Sequence, residues 1–246
     1  ITKGPLAAGK WYGAATGTQS YGYIGGDNPQ DPSPPNSEIQ RIDYGNDTAT
    51  TVAKGPLSIG TRYGLGATGN SSYGYFGGGS TFPATAYWST VDRLDFANDT
   101  AIMATKGPLS HKRSYAAALT SVTHGYAAGN FASNTGYPSP GPTVEKIDYA
   151  NDTATGTITA LMASYGYYRS GSSNKSYGWV SGGPAWNGVT TVERLDWSND
   201  SATSSPRGNL NVSRHNPMAV GNMSYGYHYG GQNGPSSPSY LSSVSR

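Results

Sequence analysis

The chain has no cysteine among its 246 residues. That excludes disulfides, thiolate metal sites and a thiol nucleophile, and it leaves the redox compartment unread. Charge is also scarce: Asp, Glu, Lys and Arg make up 12% of the chain and the formal net charge is +2. A balance this small and dispersed does not point to nucleic acid or an anionic membrane as partner. No run approaches the roughly 18 apolar residues of a membrane span, so membrane insertion is not expected. No secretory leader pattern is visible. The first residue is Ile1, not methionine, and we expect the chain to be a piece of a longer one.

Glycine (35) and tyrosine (20) are abundant instead, which suits short strands joined by tight turns. They fall in a repeat. Ser20-Tyr-Gly-Tyr-Ile-Gly-Gly26 returns as Ser72-Tyr-Gly-Tyr-Phe-Gly-Gly78, Thr123-His-Gly-Tyr-Ala-Ala-Gly129, Ser176-Tyr-Gly-Trp-Val-Ser-Gly182 and Ser224-Tyr-Gly-Tyr-His-Tyr-Gly230. Ile39-Gln-Arg-Ile-Asp-Tyr44 returns as Val91-Asp-Arg-Leu-Asp-Phe96, Val144-Glu-Lys-Ile-Asp-Tyr149 and Val192-Glu-Arg-Leu-Asp-Trp197, and begins again at Val244-Ser-Arg246. Asn-Asp follows each complete copy, at Asn46, Asn98, Asn151 and Asn199. Both side chains bond local backbone and tolerate left-handed geometry, so this pair marks a hairpin. Lys54-Gly-Pro-Leu57 and Lys106-Gly-Pro-Leu109 come next, anticipated at Lys3-Gly-Pro-Leu6 and loosened at Arg207-Gly-Asn-Leu210.

A period of roughly fifty residues indicates a propeller or array. Each unit reads as four strands. A small-residue stretch such as Tyr63-Gly-Leu-Gly-Ala-Thr68 is innermost, Tyr-Gly-Tyr is second and Val-x-Arg-x-Asp-aromatic is third. The Thr-Ala-Thr stretch after Asn-Asp is expected to be fourth. The order of basic residue, small apolar strand, Tyr-x-x-Gly-Gly, Val-x-Arg-x-Asp-aromatic and Asn-Asp-Thr resembles the kelch repeat. Alanine (Ala49, Ala101, Ala154, Ala202) stands where kelch units usually carry an outer-strand tryptophan. The exact wording is similar to tandem repeats in large virion structural and tail-fibre-like proteins of marine bacteriophages. The expected fold class is therefore all-β, a kelch-like β-propeller of five four-stranded blades, with part of a larger propeller as the alternative. Blades are expected at about 4–50, 51–102, 103–155, 156–203 and 204–246 within a single domain spanning 1–246. Residues 1–3 are expected to supply a stub of the fifth blade's outer strand.

A residue that recurs in every blade is explained by blade geometry, so function is sought among the others. Of the 14 acids, all recur except Asp27, Asp31 and Glu38, which lie in or beside one Pro-rich loop. A metal site needs about six converging oxygens, so no metal and no cofactor is expected. Arg41, Arg93, Lys146, Arg194 and Arg246 recur on the third strand, where ion pairing or aromatic stacking between blades accounts for them. A second basic set, Lys10, Arg62, Arg113 and Arg214, precedes the innermost strands, with Gly166 breaking the pattern in blade four. These residues are candidates for an anionic ligand, or for pairing with backbone carbonyls. Alternating strand direction puts them on one face with the variable loops at 27–37, 80–88, 130–142, 184–189 and 232–238. Aromatics in those loops, including Tyr87, Trp88, Phe131, Tyr137 and Trp186, suit stacking on sugar or anchoring a protein.

The four histidines fall at different strand positions, and no nucleophile-elbow or metal-histidine motif appears. Propeller enzymes resembling galactose oxidase need a cysteine cross-linked to tyrosine, which this chain cannot form. The expected function is a non-enzymatic recognition module on a virion or extracellular surface. Its partners would be other virion or surface proteins, copies of itself or a host-surface glycan. An architectural spacer, and a propeller lyase or glycosidase, are the alternatives.

Overall fold

The computed structural model describes residues 2–27, 37–81, 86–129, 141–164, 166–183, 189–222, 224–233 and 239–246. The first sheet is β1 (Ala14–Gly17), β2 (Tyr21–Gly25), β3 (Glu38–Asp43) and β4 (Val52–Pro56), and the second is β5 (Tyr63–Gly69), β6 (Tyr73–Ser80), β7 (Val91–Asp95) and β8 (Ala104–Lys106). The third comprises β9 (Ala117–Thr120), β10 (His124–Ala128), β11 (Thr143–Asp148) and β12 (Thr157–Leu161). The fourth comprises β13 (Arg169–Ser173), β14 (Tyr177–Gly182), β15 (Val189–Asp196) and β16 (Ser205–Arg214). The fifth sheet contains β17 (Met218–Gly221), β18 (Gly226–Tyr229) and β21 (Val244–Ser245), with β19 (Gln232–Asn233) and β20 (Ser239–Tyr240) paired apart from it. Strands within the blades pair antiparallel in chain order. This is the all-β propeller fold read from the repeat.

The fourth strands start later than expected. Residues 47–49 belong to a turn, and β4 begins at Val52. The carboxylates of Asp43, Asp95, Asp148 and Asp196 each accept the backbone N–H two residues on, at 2.8 to 2.9 Å. A second tight turn follows, with Ala49 N–H donating to Asn46 O and Ala101 N–H to Asn98 O. The two turns consume the Thr-Ala residues before pairing can resume.

The chain divides into two compact units, Ile1–Ser114 with Asp152–Thr155, and Tyr115–Asn151 with Gly156–Arg246. In the first, Tyr23, Ile39, Leu57, Leu65, Phe76, Leu94 and Met103 form the core. In the second, Leu119, Tyr126, Val144, Met162, Val180 and Leu195 do so, with Trp197 packed against them. Two recurring glycines are steric requirements. A Cβ on Gly55 would lie 1.8 Å from the Ala101 carbonyl oxygen, and one on Gly107 would lie 1.9 Å from that of Ala154. A Cβ on Gly178 would meet the Trp197 ring at 2.5 Å. The Lys-Gly-Pro and Tyr-Gly-Tyr motifs are therefore close-approach points as much as strand patterns.

Polar sockets link successive repeats. Asp99, in the turn after β7, accepts the Tyr23 hydroxyl at 3.0 Å, Arg41 Nη1 at 2.7 Å and Lys54 Nζ at 3.0 Å. Asp152 accepts Tyr75 at 3.0 Å, Arg93 at 2.8 Å and Lys106 at 3.3 Å. Asp200 accepts Tyr126 at 2.9 Å and Lys146 at 2.8 Å, with the Thr159 hydroxyl at 3.2 Å. Arg41 and Arg93 also lie over the Tyr21 and Tyr73 rings, at 4.4 and 4.1 Å. The ion pairs thus join one repeat to the next as expected, whereas the stacking is within a blade, third strand on second. The acid partner is the turn aspartate of the following repeat, not the strand-three aspartate two residues away. Burial raises the pKa of these turn carboxylates, but bonds from Lys54, Tyr23 and Arg41 to Asp99, and from Arg93, Tyr75 and Lys106 to Asp152, outweigh it and hold both low. The Tyr23 hydroxyl is pushed up to about 12, first by burial and then by Asp99.

Candidate functional site

The basic residues leading into the innermost strands lie deep in the structure. Arg62 is fully buried. Its Nη1 donates to the carbonyls of Gly78 (2.8 Å) and Thr90 (3.2 Å), and its Nη2 meets the Asp92 carboxylate, which also takes the Ser58 hydroxyl. Burial lowers the Arg62 pKa and raises that of Asp92, each opposed by the other's charge. Lys10 Nζ is 3.9 Å from the Asp27 carboxylate and donates to Glu38 O at 3.2 Å. Burial lowers its pKa, against the pull of Asp27 and Glu38. Arg113 is buried too, and its backbone bonds Trp88 O and Gly79 N. Arg214 is fully buried and donates to Gly230 O at 2.7 Å and Ser243 Oγ at 2.8 Å.

Gly166, where the basic pattern breaks, leaves room for a displaced arginine. A Cβ there would lie 2.0 Å from Arg169 Nε, and Arg169 pairs with Glu193 at 3.3 Å. Sequence reasoning missed Arg169 because it sits three residues past the aligned position. The glycine itself was the available signal.

The expected sharing of one edge by loops and basic segments is visible in backbone bonds. Asp27 N–H donates to Arg62 O at 2.9 Å and Gly79 N–H to Arg113 O at 2.7 Å. Of the candidate loop aromatics, Tyr87 is buried and bridges to Ser80, and Trp88 is half-buried with its N–H on Gly79 O. The Trp88 indole nitrogen is buried with no hydrogen-bond partner among the described residues. Phe131, Tyr137, Trp186 and Asp31 lie outside the described residues.

A feature not anticipated from sequence lies two residues after each basic position. Tyr12, Tyr115, Tyr168 and Asn216 have φ of 54°, 58°, 56° and 52°, and Gly64 at the matching place has 66°. A left-handed φ in a bulky residue costs free energy and persists only where the surroundings enforce it. Here, within the units, backbone bonds join one repeat to the next: Gly64 N–H to Tyr12 O at 2.9 Å, Tyr168 N–H to Tyr115 O at 3.2 Å and Asn216 N–H to Tyr168 O at 3.2 Å. The rings gather. In the first unit Trp11, 48% exposed, stacks on Tyr12 at 5.3 Å. In the second, Tyr115 and Tyr168 are 4.2 Å apart, with Tyr167 and His215 at 5.2 and 4.6 Å from Tyr168. Glycine and asparagine, the residues that favour left-handed backbone, fill two of the five aligned positions and were the signal in the sequence.

Such half-buried aromatics offer flat faces with polar edges, suited to a ring-shaped or planar ligand. Among the described residues no group of three or more His, Asp or Glu converges as metal ligands would. Compared with known proteins, the chain matches no protein-family model and no curated protein.

Proposed function

We propose that this chain is a non-enzymatic recognition module, a kelch-like propeller carried on a virion appendage or other surface, that binds glycan on its loop-bearing edge. The observation that carries the reading is the contact of the Tyr115, Tyr167 and Tyr168 rings in the second unit, at 4.2 and 5.2 Å. The left-handed backbone beneath them recurs in all five repeats and belongs to the blade, whereas the rings do not recur in every repeat, Gly64 and Asn216 standing at the matching places, and non-recurring aromatics beside variable loops are suited to recognition. Tyr115, Tyr167 and Tyr168 supply stacking faces in the second unit; Trp88 is a separate candidate in the first, and Phe131, Tyr137 and Trp186 are candidates from the sequence alone. Lys10, Arg62, Arg113 and Arg214 act in this reading as supports, since the partners of Lys10, Arg62 and Arg214 lie inside the fold.

Glycan-array screening of the intact chain tests the proposal. Binding should be lost in Tyr168→Ala and Trp88→Ala variants that keep the wild-type circular dichroism. An array on which the folded wild type binds nothing would sink it. A second reading, an architectural spacer, is favoured by the internal pairing of Arg62 with Asp92 and Arg169 with Glu193. An enzyme has less support, because those carboxylates are occupied by arginine.

A further inference from the structure

Residues that depart from the repeat are not explained by blade geometry, and four such departures meet in one cleft of the second unit. At the first position of the second strand, His124 stands where Tyr21, Tyr73, Tyr177 and Tyr225 do. On the third strand, Lys146 stands where Arg41, Arg93, Arg194 and Arg246 do. Trp197 replaces the Tyr44, Phe96 and Tyr149 of other repeats, and Lys175 takes the turn position of Gln19, Ser71, Val122 and Met223. All four departures line a cleft of about 320 Å³, together with Val122 and Asp200. It lies at the edge of the third and fourth sheets that carries the β9–β10 and β13–β14 turns. The variable loops leave these sheets at the opposite edge.

The matching cleft of the first unit shows what the departures change. It measures about 520 Å³ and is lined by Thr18, Ser20, Ser71 and Ser72 beside Tyr21 and Tyr73, with no lysine, arginine or histidine. In every repeat but the third, the strand-three arginine covers the tyrosine ring, at 4.0 to 4.5 Å. Among the described residues no cation covers the His124 ring. Asp200, the only acid among the described lining residues, has its charge met by Lys146 at 2.8 Å. Lys175 is exposed and makes no hydrogen bond or ion pair among the described residues, so its charge is left unbalanced.

The rest of the lining is rigid and part apolar. Trp197 is stacked on Tyr126 at 4.4 Å, with its indole N–H on Asn174 O at 3.1 Å. Val122 is 71% exposed. His124 Nδ1 is 2.8 Å from Thr123 Oγ1; when that hydroxyl donates to Nδ1, Nε2 carries the proton and can donate to a ligand.

We propose that this cleft binds an acidic sugar, its carboxylate held by the Lys175 ammonium and the His124 imidazole and its ring against Val122 and the Trp197 indole. The volume is at the small end of the range for ligand pockets, about 300–1,000 Å³, and suits a single sugar ring. The carboxylate gains charge-assisted bonds from two nitrogen donors. The Ser121 and Thr123 hydroxyls beside the apolar wall match a ring that carries both hydroxyl and C–H surface. The site is separate from the loop edge and does not depend on the glycan reading made there.

Two-dimensional amide NMR of the full chain, titrated with glucuronate, tests it. Saturable shifts should appear at the Trp197 indole N–H, Val122 and Lys175. Glucose keeps the ring without the charge, and inorganic sulfate keeps a charge without the ring; each should bind at least about tenfold more weakly. Lys175→Ala should lose about tenfold or more in affinity, in a spectrum that otherwise superimposes on the wild type and so reports a folded chain. Ser71→Ala, in the matching cleft of the first unit, should change nothing. No saturable shift, glucose or sulfate binding as tightly as glucuronate, or wild-type affinity in Lys175→Ala would each overturn the proposal. Shifts confined to Tyr115, Tyr167 and Tyr168 would overturn it too, while supporting the loop-edge reading.

Discussion

His228 occupies the strand-two position that other repeats fill with Ile24, Phe76, Ala127 and Val180. It is buried among hydroxyls, with Ser181 Oγ at 2.5 Å, Ser170 Oγ at 3.3 Å and Ser172 Oγ at 3.4 Å. Burial, followed by the charge of Arg214, pushes its pKa down to about 4. The folded state thus binds its proton less readily than the unfolded state. The stability this neutral imidazole contributes is complete above the unfolded value of 6.5 and is lost as pH falls towards about 4. By linkage the loss is ~3 kcal/mol. Urea denaturation across that window should show the decline, and His228→Gln, which cannot take up the proton, should flatten it. A decline of equal size in the Gln variant would assign it to other groups. The Arg62–Asp92 pair is a second residue-scale case. Asp92→Ala leaves a buried guanidinium with carbonyls alone, and should cost about 3–5 kcal/mol in urea melts. Arg62→Met combined with Asp92→Ala should recover much of that loss, since no buried charge then remains unpaired.

At the scale of the elements, the repeat made the four-strand blade legible because period-two patterning, Asn-Asp turns and Gly-Gly ends recur together. The start of the fourth strand was misplaced because strand propensity in Thr-Ala-Thr competes with two side-chain and main-chain turns that no composition rule displays. Glycine roles were half legible: recurrence showed that Gly55 and Gly107 matter, and only the packed structure shows that an alanine carbonyl sits in the space of their missing Cβ. The expectation is therefore asymmetric. Gly107→Ala must displace a neighbouring backbone, and should destabilise the chain by about 3 kcal/mol or more, in the range of the larger single-residue effects. Gly60→Ala meets nothing within 4 Å and has no left-handed φ, and should be neutral or stabilising by about 0.4–1 kcal/mol through the unfolded state. Thermal melts of the two variants side by side check the contrast; equal losses would remove the steric explanation.

Over the whole molecule, the pairing of acids with bases was the least legible feature, because partners sit in different repeats. Arg41 and Asp99 are 58 residues apart, and Arg93 and Asp152 are 59 apart. Pairing between blades was expected, but which acid takes part was not, and the aspartates two residues along the strand, Asp43 and Asp95, spend their carboxylates on local backbone. The consequence is a specific acid response. Asp99, Asp152 and Asp200 all have pKa values held below normal, burial being outweighed by bonds from the socket cations and tyrosines. Depressed carboxylates stabilise the fold above the unfolded value of about 3.9 and lose that contribution as pH falls through the lower folded values. This window lies below that of His228, so acid unfolding should have two slopes. In the lower one, the three sockets contribute at most three of the protons taken up on unfolding, or about 4 kcal/mol per pH unit, with Asp196, held low by its bonds from Ser198, adding to them. Asp99→Asn, Asp152→Asn and Asp200→Asn should each make that slope shallower, by at most about 1.4 kcal/mol per pH unit, while leaving the decline above pH 4 in place. If the single variants keep the full wild-type slope below pH 4, the sockets are not the acid-sensitive joints between repeats.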